Sequence, residues 1–554
     1  MRRINYITIL FFLSTGVFAQ NAKNDTTLNR TVVVEQEYNP DIPDASKINV
    51  LPKVEEPAVS KKSIEYSNAL QPATSFGTYQ AISPFTYKEL QPNAKRGYVR
   101  LGYGNYGNVD GKFSYLIDFS EKDQLGISAG IDGMKGKLTL DDKKLPLHYY
   151  KSKAGINYLH RFDRVDFDVA GNWGLSNFNY HPDALLTHQR FTSGDVHLGV
   201  GSTDETMPLQ FNVETNLMLY SRAHESFYEY PEYISKKIKE TRVYTKADAT
   251  GAINEEQKIG LALQMDNLFY TKAYHRDYTS LQLNPFYEFA NDSWKLHLGA
   301  NVDFSLGFGK ALQASPDVVL QYTFADSYVL YAKATGGRQL NDFRELELFC
   351  PYAEFLSDAA LYPMENTYEQ INASFGFKAS PYTGVWFHLF GGYQNLKDDL
   401  LQYDPMWVPG PVAELKIAQK NTKNLYAGVN LSYGFKDYFK VSAEGVYRHW
   451  DQIEDLAGLM VFKPSFELNF NAEFRPIKPL LVNLGYQYTL REKEETMDGR
   501  LNPVNNLHAG ASYDIYKGLS AFVKLDNILN QEYQYYYYYP TEGFNFLAGL
   551  SFAF

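Results

Sequence analysis

From Gly97 onward the sequence alternates apolar and polar positions with a period of two, the signature of β-strands with one face in an apolar environment. Between Trp294 and Phe308, Trp294, Leu296, Leu298, Ala300, Val302, Phe304, Leu306 and Phe308 occupy one face. Lys295, His297, Gly299, Asn301, Asp303, Ser305 and Gly307 occupy the other. The stretch Leu480–Leu490 repeats the pattern, with Leu480, Val482, Leu484, Tyr486, Tyr488 and Leu490 outward and Asn483, Gln487 and Thr489 inward. Such runs exceed the five or six residues, roughly, of a strand in a soluble sandwich and reach the roughly 9–11 residues that span a bilayer.

Two kinds of connection separate the runs. Short polar turns stand at Glu121-Lys122-Asp123, Asp163-Arg164, Asn254-Glu255-Glu256, Asn291-Asp292-Ser293, Ala325-Asp326-Ser327, Lys436-Asp437 and Tyr516-Lys517-Gly518. Longer irregular segments lie near 136–148, 181–191, 222–241, 341–367, 401–423, 452–462 and 491–504. Short turns alternating with long loops are the pattern of a transmembrane barrel with periplasmic turns and outward loops. The expected fold is therefore all-β: a transmembrane antiparallel β-barrel of about 22 strands over residues 97–554, preceded by a Pro-rich extended N-terminal arm.

The N-terminal segment differs. Arg2 and Arg3 precede an apolar run from Ile4 to Phe18, and Val17 and Ala19 fit a small-residue cleavage site. Residues 1–19 read as a secretory signal peptide, so the mature protein is expected to be exported. Residues 20–96 carry seven prolines and one glycine, Gly77. Proline removes amide donors and fixes φ, so this region reads as an extended periplasmic or luminal arm. Val32, Val33 and Val34, with Ile48 and Leu51, are its candidate docking residues; a disordered linker is the competing reading.

Composition sharpens the picture. Tyr (45), Phe (37) and Trp (5) make up 16% of the chain, the aromatic richness of barrel rims. Lys and Arg number 53 against 64 Asp and Glu, a net charge of -11 that argues against nucleic acid as a partner. The single cysteine, Cys350, excludes an intrachain disulfide and a cysteine-built zinc site.

Motif matches carry little chemistry. Gly126-Ile127-Ser128-Ala129-Gly130 fits the nucleophile-elbow spacing, but its alternation continues as a strand rather than turning into a helix. Gly102-Tyr103-Gly104-Asn105-Tyr106-Gly107 fits the dinucleotide spacing, yet a strand follows where a helix is required, so a tight hairpin is expected. The histidines show no ligand spacing; His297 is expected to line the lumen beside Lys295 and Asp303. No cofactor, metal site or enzymatic constellation is implied. The aromatic residues Tyr228, Tyr230 and Trp407, and Tyr535 and Tyr537 in the run Tyr535–Tyr539, are candidate loop contacts, the last pair expected at a rim belt.

The C-terminus carries a family resemblance. The last strand alternates and ends in Phe554, similar to the terminal signal of outer-membrane barrels. Before it, Asp526, Asn527, Leu529, Tyr533, Tyr539 and Pro540 resemble the end of the TonB-dependent receptor barrel. The stretch 343–370 also resembles a segment of that family, and the overall style is similar to proteins of the Bacteroidota. The family carries an N-terminal plug, which residues 20–96 do not resemble. Thr31–Gln36 resembles the short segment that contacts TonB. The resemblance implies a non-enzymatic outer-membrane receptor or channel in solute uptake. The departure favours an alternative, a structural subunit of a larger outer-membrane complex serving envelope biogenesis or surface-lipoprotein assembly. Expected partners are outer-membrane lipids, a lipoprotein or envelope-complex protein, and TonB.

Overall fold

The computed structural model describes residues 95–554, apart from 141–142, 180–187, 205, 225–236, 272–275, 326, 354–363, 404–414, 452–459, 493–500 and 538. The first strands are β1 (Gly97–Gly104), β2 (Val109–Asp118), β3 (Asp123–Leu140), β4 (Lys143–Arg161), β5 (Val165–Asn179) and β6 (His188–Ser202). There follow β7 (Leu209–Arg222), β8 (Ile238–Ala252), β9 (Gln257–Tyr270), β10 (Tyr278–Ala290), β11 (Trp294–Leu306), β12 (Leu312–Phe324) and β13 (Tyr328–Gln339). After a short helix α1 (Phe343–Phe349) come β14 (Thr367–Ala379), β15 (Val385–Tyr403), β16 (Lys416–Phe435), β17 (Phe439–Trp450) and β18 (Pro464–Ile477). The chain ends with β19 (Leu480–Arg491), β20 (Val504–Tyr516), β21 (Leu519–Asp526), a small hairpin of β22 (Gln534–Tyr536) and β23 (Tyr539–Pro540), and β24 (Asn545–Ala553).

All strands but the β22–β23 hairpin join one 22-stranded sheet in which each strand pairs antiparallel with its neighbours. The sheet closes: β1 pairs with β2 on one side and with β24 on the other, Tyr98 opposite Ala553 and Gly104 opposite Leu547. Closure leaves no unpaired edge, which lipid would not tolerate. The backbones of Gly97 and Phe554 exchange two hydrogen bonds of 2.8 and 2.9 Å at the seam. Because every strand reverses direction, the polar turns named above gather at one end and the long connections at the other, where β1–β2, β3–β4 and β11–β12 are also joined by short connections. The Gly102–Gly107 stretch is the expected hairpin between β1 and β2, with Tyr106 and Gly107 at positive φ (53° and 59°). Gly126–Gly130 runs straight within β3.

The two faces differ as the alternation requires. Leu101, Leu198, Leu261, Leu298, Phe375 and Leu550 lie exposed on the outside. An apolar surface of this extent is a lipid-facing band. At the turn end, aromatic side chains form a girdle. Rings of Trp294, Tyr322, Phe324, Tyr328, Phe377 and Phe387 follow one another across β11–β15 with centroids 4.5–6.0 Å apart. Amphipathic rings suit the lipid–water boundary. Inward positions are polar: Asn301, Asp303 and Asn483 are all buried. His297 lines the lumen but pairs with Glu288 and Asp317, both at 3.2 Å, rather than with Lys295 or Asp303.

Two expected loops are shorter than the sequence implied. The segment near 136–148 is mostly a strand ladder, since β3 and β4 stay in register up to Leu140 opposite Lys143. Gly136, Asp141-Asp142 and Pro146 read as turn residues, yet the alternation of Leu138 and Leu140 continues through them and the ladder follows it. The segment near 401–423 is likewise trimmed by β15 and β16, which pair out to Tyr403 and Lys416.

Candidate functional site

The loop end of the lumen is filled by two inward-folded connections. The first joins β13 to β14. Just before it Gly337 adopts φ 138° and the β13–β14 register slips between Thr335 and Gly337; the ladder runs on to Gln339 opposite Thr367, where the chain leaves the wall. Asp342 then caps α1, its side chain accepting from the Arg344 and Glu345 amides at 3.1 and 2.9 Å.

Charged pairs hold α1 to the inner wall. The guanidinium of Arg344 grips the carboxylate of Asp195 on β6 through both of its oxygens. Arg242 of β8 bridges Asp266 of β9, at 2.6 Å, and Asp342, at 2.9 Å. Arg338 of β13 also reaches Asp266, at 2.9 Å. Glu240 of β8 accepts the amide of Phe343 at 3.1 Å. Glu347 accepts hydroxyl bonds from Tyr220 of β7 (2.9 Å) and Ser176 of β5 (3.0 Å). Arg222 of β7 donates to the carbonyl of Ala353 at 2.9 Å. Asp266, Asp342, Arg344 and Glu347 are all buried. Burial pushes the Glu347 carboxyl above its ordinary range, against the charge of Lys151 and the bonds from Tyr220 and Ser176. Burial likewise pushes the Cys350 thiol up to about 12, so it behaves as an inert packing group.

The second connection carries the β22–β23 hairpin. Asn527, at φ 48°, turns the chain; its side chain donates to the carbonyls of Gln531 and Glu542 at 2.7 and 2.8 Å and accepts the Gln531 amide at 3.0 Å. The hairpin is tied to the wall opposite α1. Gln402 of β15 donates to the Tyr535 carbonyl at 3.0 Å, and Arg491 of β19 donates to that of Gln534. Beside it opens a cavity of about 270 Å³ bordered by Gln402, Phe462, Lys463, Gln487, Arg491 and Tyr535.

The two connections meet inside the barrel. Phe343, Leu346, Tyr352 and Ala353 of the first pack in one buried cluster with Tyr536, Tyr537 and Tyr539 of the second and with Phe178, Phe191, Tyr220, Leu400 and Ile417 of the wall. Tyr537 also meets Phe462 edge-on at 4.7 Å. This cap spans the lumen from the β5–β8 side to the β15–β16 side.

Of the residues singled out from sequence, Tyr537 is 7% exposed and Tyr535 packs against the same cluster. Their place is the interior of the cap, not a rim belt, because the loop that carries them folds inward. Tyr228, Tyr230 and Trp407, and Val32, Val33, Val34, Ile48 and Leu51, lie outside the described residues. Arg344 opens the Arg-Glu-Leu step of the stretch 343–370, but none of the charged anchors Asp342, Arg344 and Glu347 was expected as a site residue. Their clustering in Asp342–Glu347 was the available signal, but their partners come from five distant strands. Among the described residues no group of three or more His, Cys, Asp or Glu side chains could hold a metal ion.

No family model matches the chain, and no curated protein does. Solved structures do. The FrpB iron transporter from Neisseria meningitidis is similar over 83% of this chain and 82% of its own, with a TM-score of 0.64 and 12% identity. The siderophore receptor PirA from Acinetobacter baumannii covers 84% of this chain and 81% of its own, with a TM-score of 0.63 and 9% identity. The copper transporter OprC covers 83% and 80%, with a TM-score of 0.62 and 12% identity. The barrel thus shares the fold of these transporters and this receptor. With its apolar band and aromatic girdle, the chain is a multi-pass β-barrel of the outer membrane.

Proposed function

We propose that the protein is a non-enzymatic, gated receptor or channel for solute uptake, in which the cap is the gate. The observation that supports this reading most is the make-up of the cap. A barrel of this size leaves a lumen that wall side chains alone cannot fill. Here two loops fill its loop end. One is fastened by buried ion pairs rather than by apolar packing alone, and such pairs are poor as sources of stability and better suited to fixing one of two arrangements. The barrels it overlays include transporters of iron and copper and a siderophore receptor, which supports solute uptake as the class of function. In this reading Thr31–Gln36 is the candidate contact for TonB.

The test is conductance of the full chain in planar bilayers, for the wild type and for Arg344→Leu. The wild type is expected to stay mostly closed and the variant to open. A folded variant that never conducts overturns the gate and favours the competing role as a structural subunit of an envelope or lipoprotein complex. Recovery of a stoichiometric partner after gentle extraction would then identify that complex.

A further inference from the structure

The inner wall below the cap carries a second charged site, set by strand register. Arg100 of β1 stands directly opposite Lys112 of β2, Lys112 opposite Gly130 of β3, and Gly130 opposite Lys153 of β4. The adjacent row runs Gly102, Asp110, Asp132 and Lys151 across the same four strands. Lys524 of β21 joins it through Asp110 at 2.9 Å.

The charges do not balance. Asp110 is shared between Arg100 and Lys524. Asp132 faces Lys151 across the ladder, and Glu347 of the cap is its second neighbouring carboxyl, which still leaves the cations in excess. Lys151 is 7% exposed, and its Nζ makes no hydrogen bond. Lys112 and Lys153 are exposed to the lumen, and neither is in an ion pair or hydrogen bond with a described residue. The stem of Lys153 leans over Gly130, its Cε 3.3 Å from where a Cβ would sit, which brings its ammonium toward Lys112. Like charges directly opposite on a sheet repel, and a low-dielectric wall strengthens the field they create. A chain with a net charge of -11 has no general excess of cations to explain this concentration.

We propose that this patch is a binding site for a solute bearing two or more oxyanion groups, carboxylates or phosphates. One group sits between the ammonium groups of Lys112 and Lys153, and a second meets Lys151 in the neighbouring row or Arg100 at the other end of the same row. Strands β2 and β4 lie about 10 Å apart, two ladder spacings, a gap that two lysine stems and a small polyanion close. Glycine at position 130 lets the Lys153 stem lie close against β3. The cap lies above the patch, so the proposed site is reached from the turn end or after the cap moves.

The test is calorimetric titration of the full-length protein in neutral detergent with citrate and, separately, with pyrophosphate, at low and at high salt. At least one probe is expected to bind saturably, and more weakly at high salt, because exposed charges are screened. Which of them binds distinguishes a carboxylate from a phosphate solute. Lys112→Gln/Lys153→Gln should weaken binding about tenfold or more, the loss expected for charge-assisted bonds. Lys333→Gln, a luminal lysine elsewhere on the wall, should leave it unchanged. Absence of saturable binding by either probe, or binding indifferent to the double substitution in a barrel that still shows heat-modifiable migration, overturns the site. The assay does not require the cap to open. A barrel that binds anions but never conducts would therefore sink the uptake reading and leave this site standing.

Discussion

Tyr352 lies face to face with Tyr539, ring centroids 3.6 Å apart and planes 10° from parallel. The two residues belong to different loops, one fastened to the β5–β8 side of the wall and the other to the β15–β19 side. Their stack is the seam along which the cap must part if it opens. Tyr536 meets Tyr352 edge-on at 5.5 Å and extends the seam. An aromatic pair contributes about 0.5–1.5 kcal/mol beyond its buried area. Tyr352→Ala and Tyr539→Ala, alone and together, should therefore show a coupling of about that size in the hydrogen-exchange protection of α1. Additive effects would mean that the loops are held separately and that the seam is no latch.

The Arg344–Asp195 pair is a buried, two-point ion-pair anchor of α1. Removing one partner leaves a buried charge uncompensated, which costs about 3–5 kcal/mol, whereas replacing both with apolar residues is often neutral. Arg344→Leu should loosen the cap strongly, while Arg344→Leu/Asp195→Leu should restore much of its protection. If the double variant is as loose as the single one, the pair supplies net attraction and not only mutual compensation. Exchange protection of the Phe343–Phe349 amides reads this directly.

The barrel was legible in the sequence because lipid imposes a strict period of two. Trp294–Phe308 and Leu480–Leu490 became β11 and β19 almost residue for residue. The strand number followed from turns such as Asp163-Arg164 and Lys436-Asp437, whose polar residues mark reversals locally. The cap was not legible. Arg344 meets Asp195, and Glu347 meets Ser176, only once the barrel has closed, and no local pattern encodes such partners. Tyr535 and Tyr537 misled for a related reason. An aromatic run at a loop has the same composition whether the loop points outward or folds into the lumen, and only the anchors Gln402 and Arg491 decide it.

Glu347 gives the cap a pH dependence with a definite sign. Its carboxyl is pushed up in the folded state, chiefly by burial. The protonated form is thus the one the cap favours, and the stability it contributes is fully present below the ordinary carboxylate pKa. That contribution falls away as pH rises through the raised value. Protection of α1 should decline over that rise in the wild type. In Glu347→Gln, which stays neutral and can accept from one of the Tyr220 and Ser176 hydroxyls while its amide donates to the other, the decline should shrink. An unchanged profile in the variant would assign the titration to another group in the network, with Glu240 and Glu345 the next to examine.

Asn527 tests whether the second half of the cap depends on a single turn. Its φ of 48° is unfavourable for a residue with a side chain by about 1–2 kcal/mol. The side chain offsets that cost with three bonds to the backbone of Gln531 and Glu542. Asn527→Gly keeps the conformation accessible and loses the bonds, and Asn527→Ala loses both. Each lost bond is worth about 0.5–1.5 kcal/mol, so both variants should loosen the β22–β23 hairpin, alanine more than glycine. Accessibility of a cysteine introduced at Tyr539, in a background with Cys350→Ala, reports the loosening as faster thiol labelling. Equal labelling in both variants would show that backbone strain at this position is negligible and that the side-chain bonds alone hold the turn. Labelling no faster than with Asn527 intact would show that the hairpin is held by its wall contacts through Gln402 and Arg491, and that the turn merely follows.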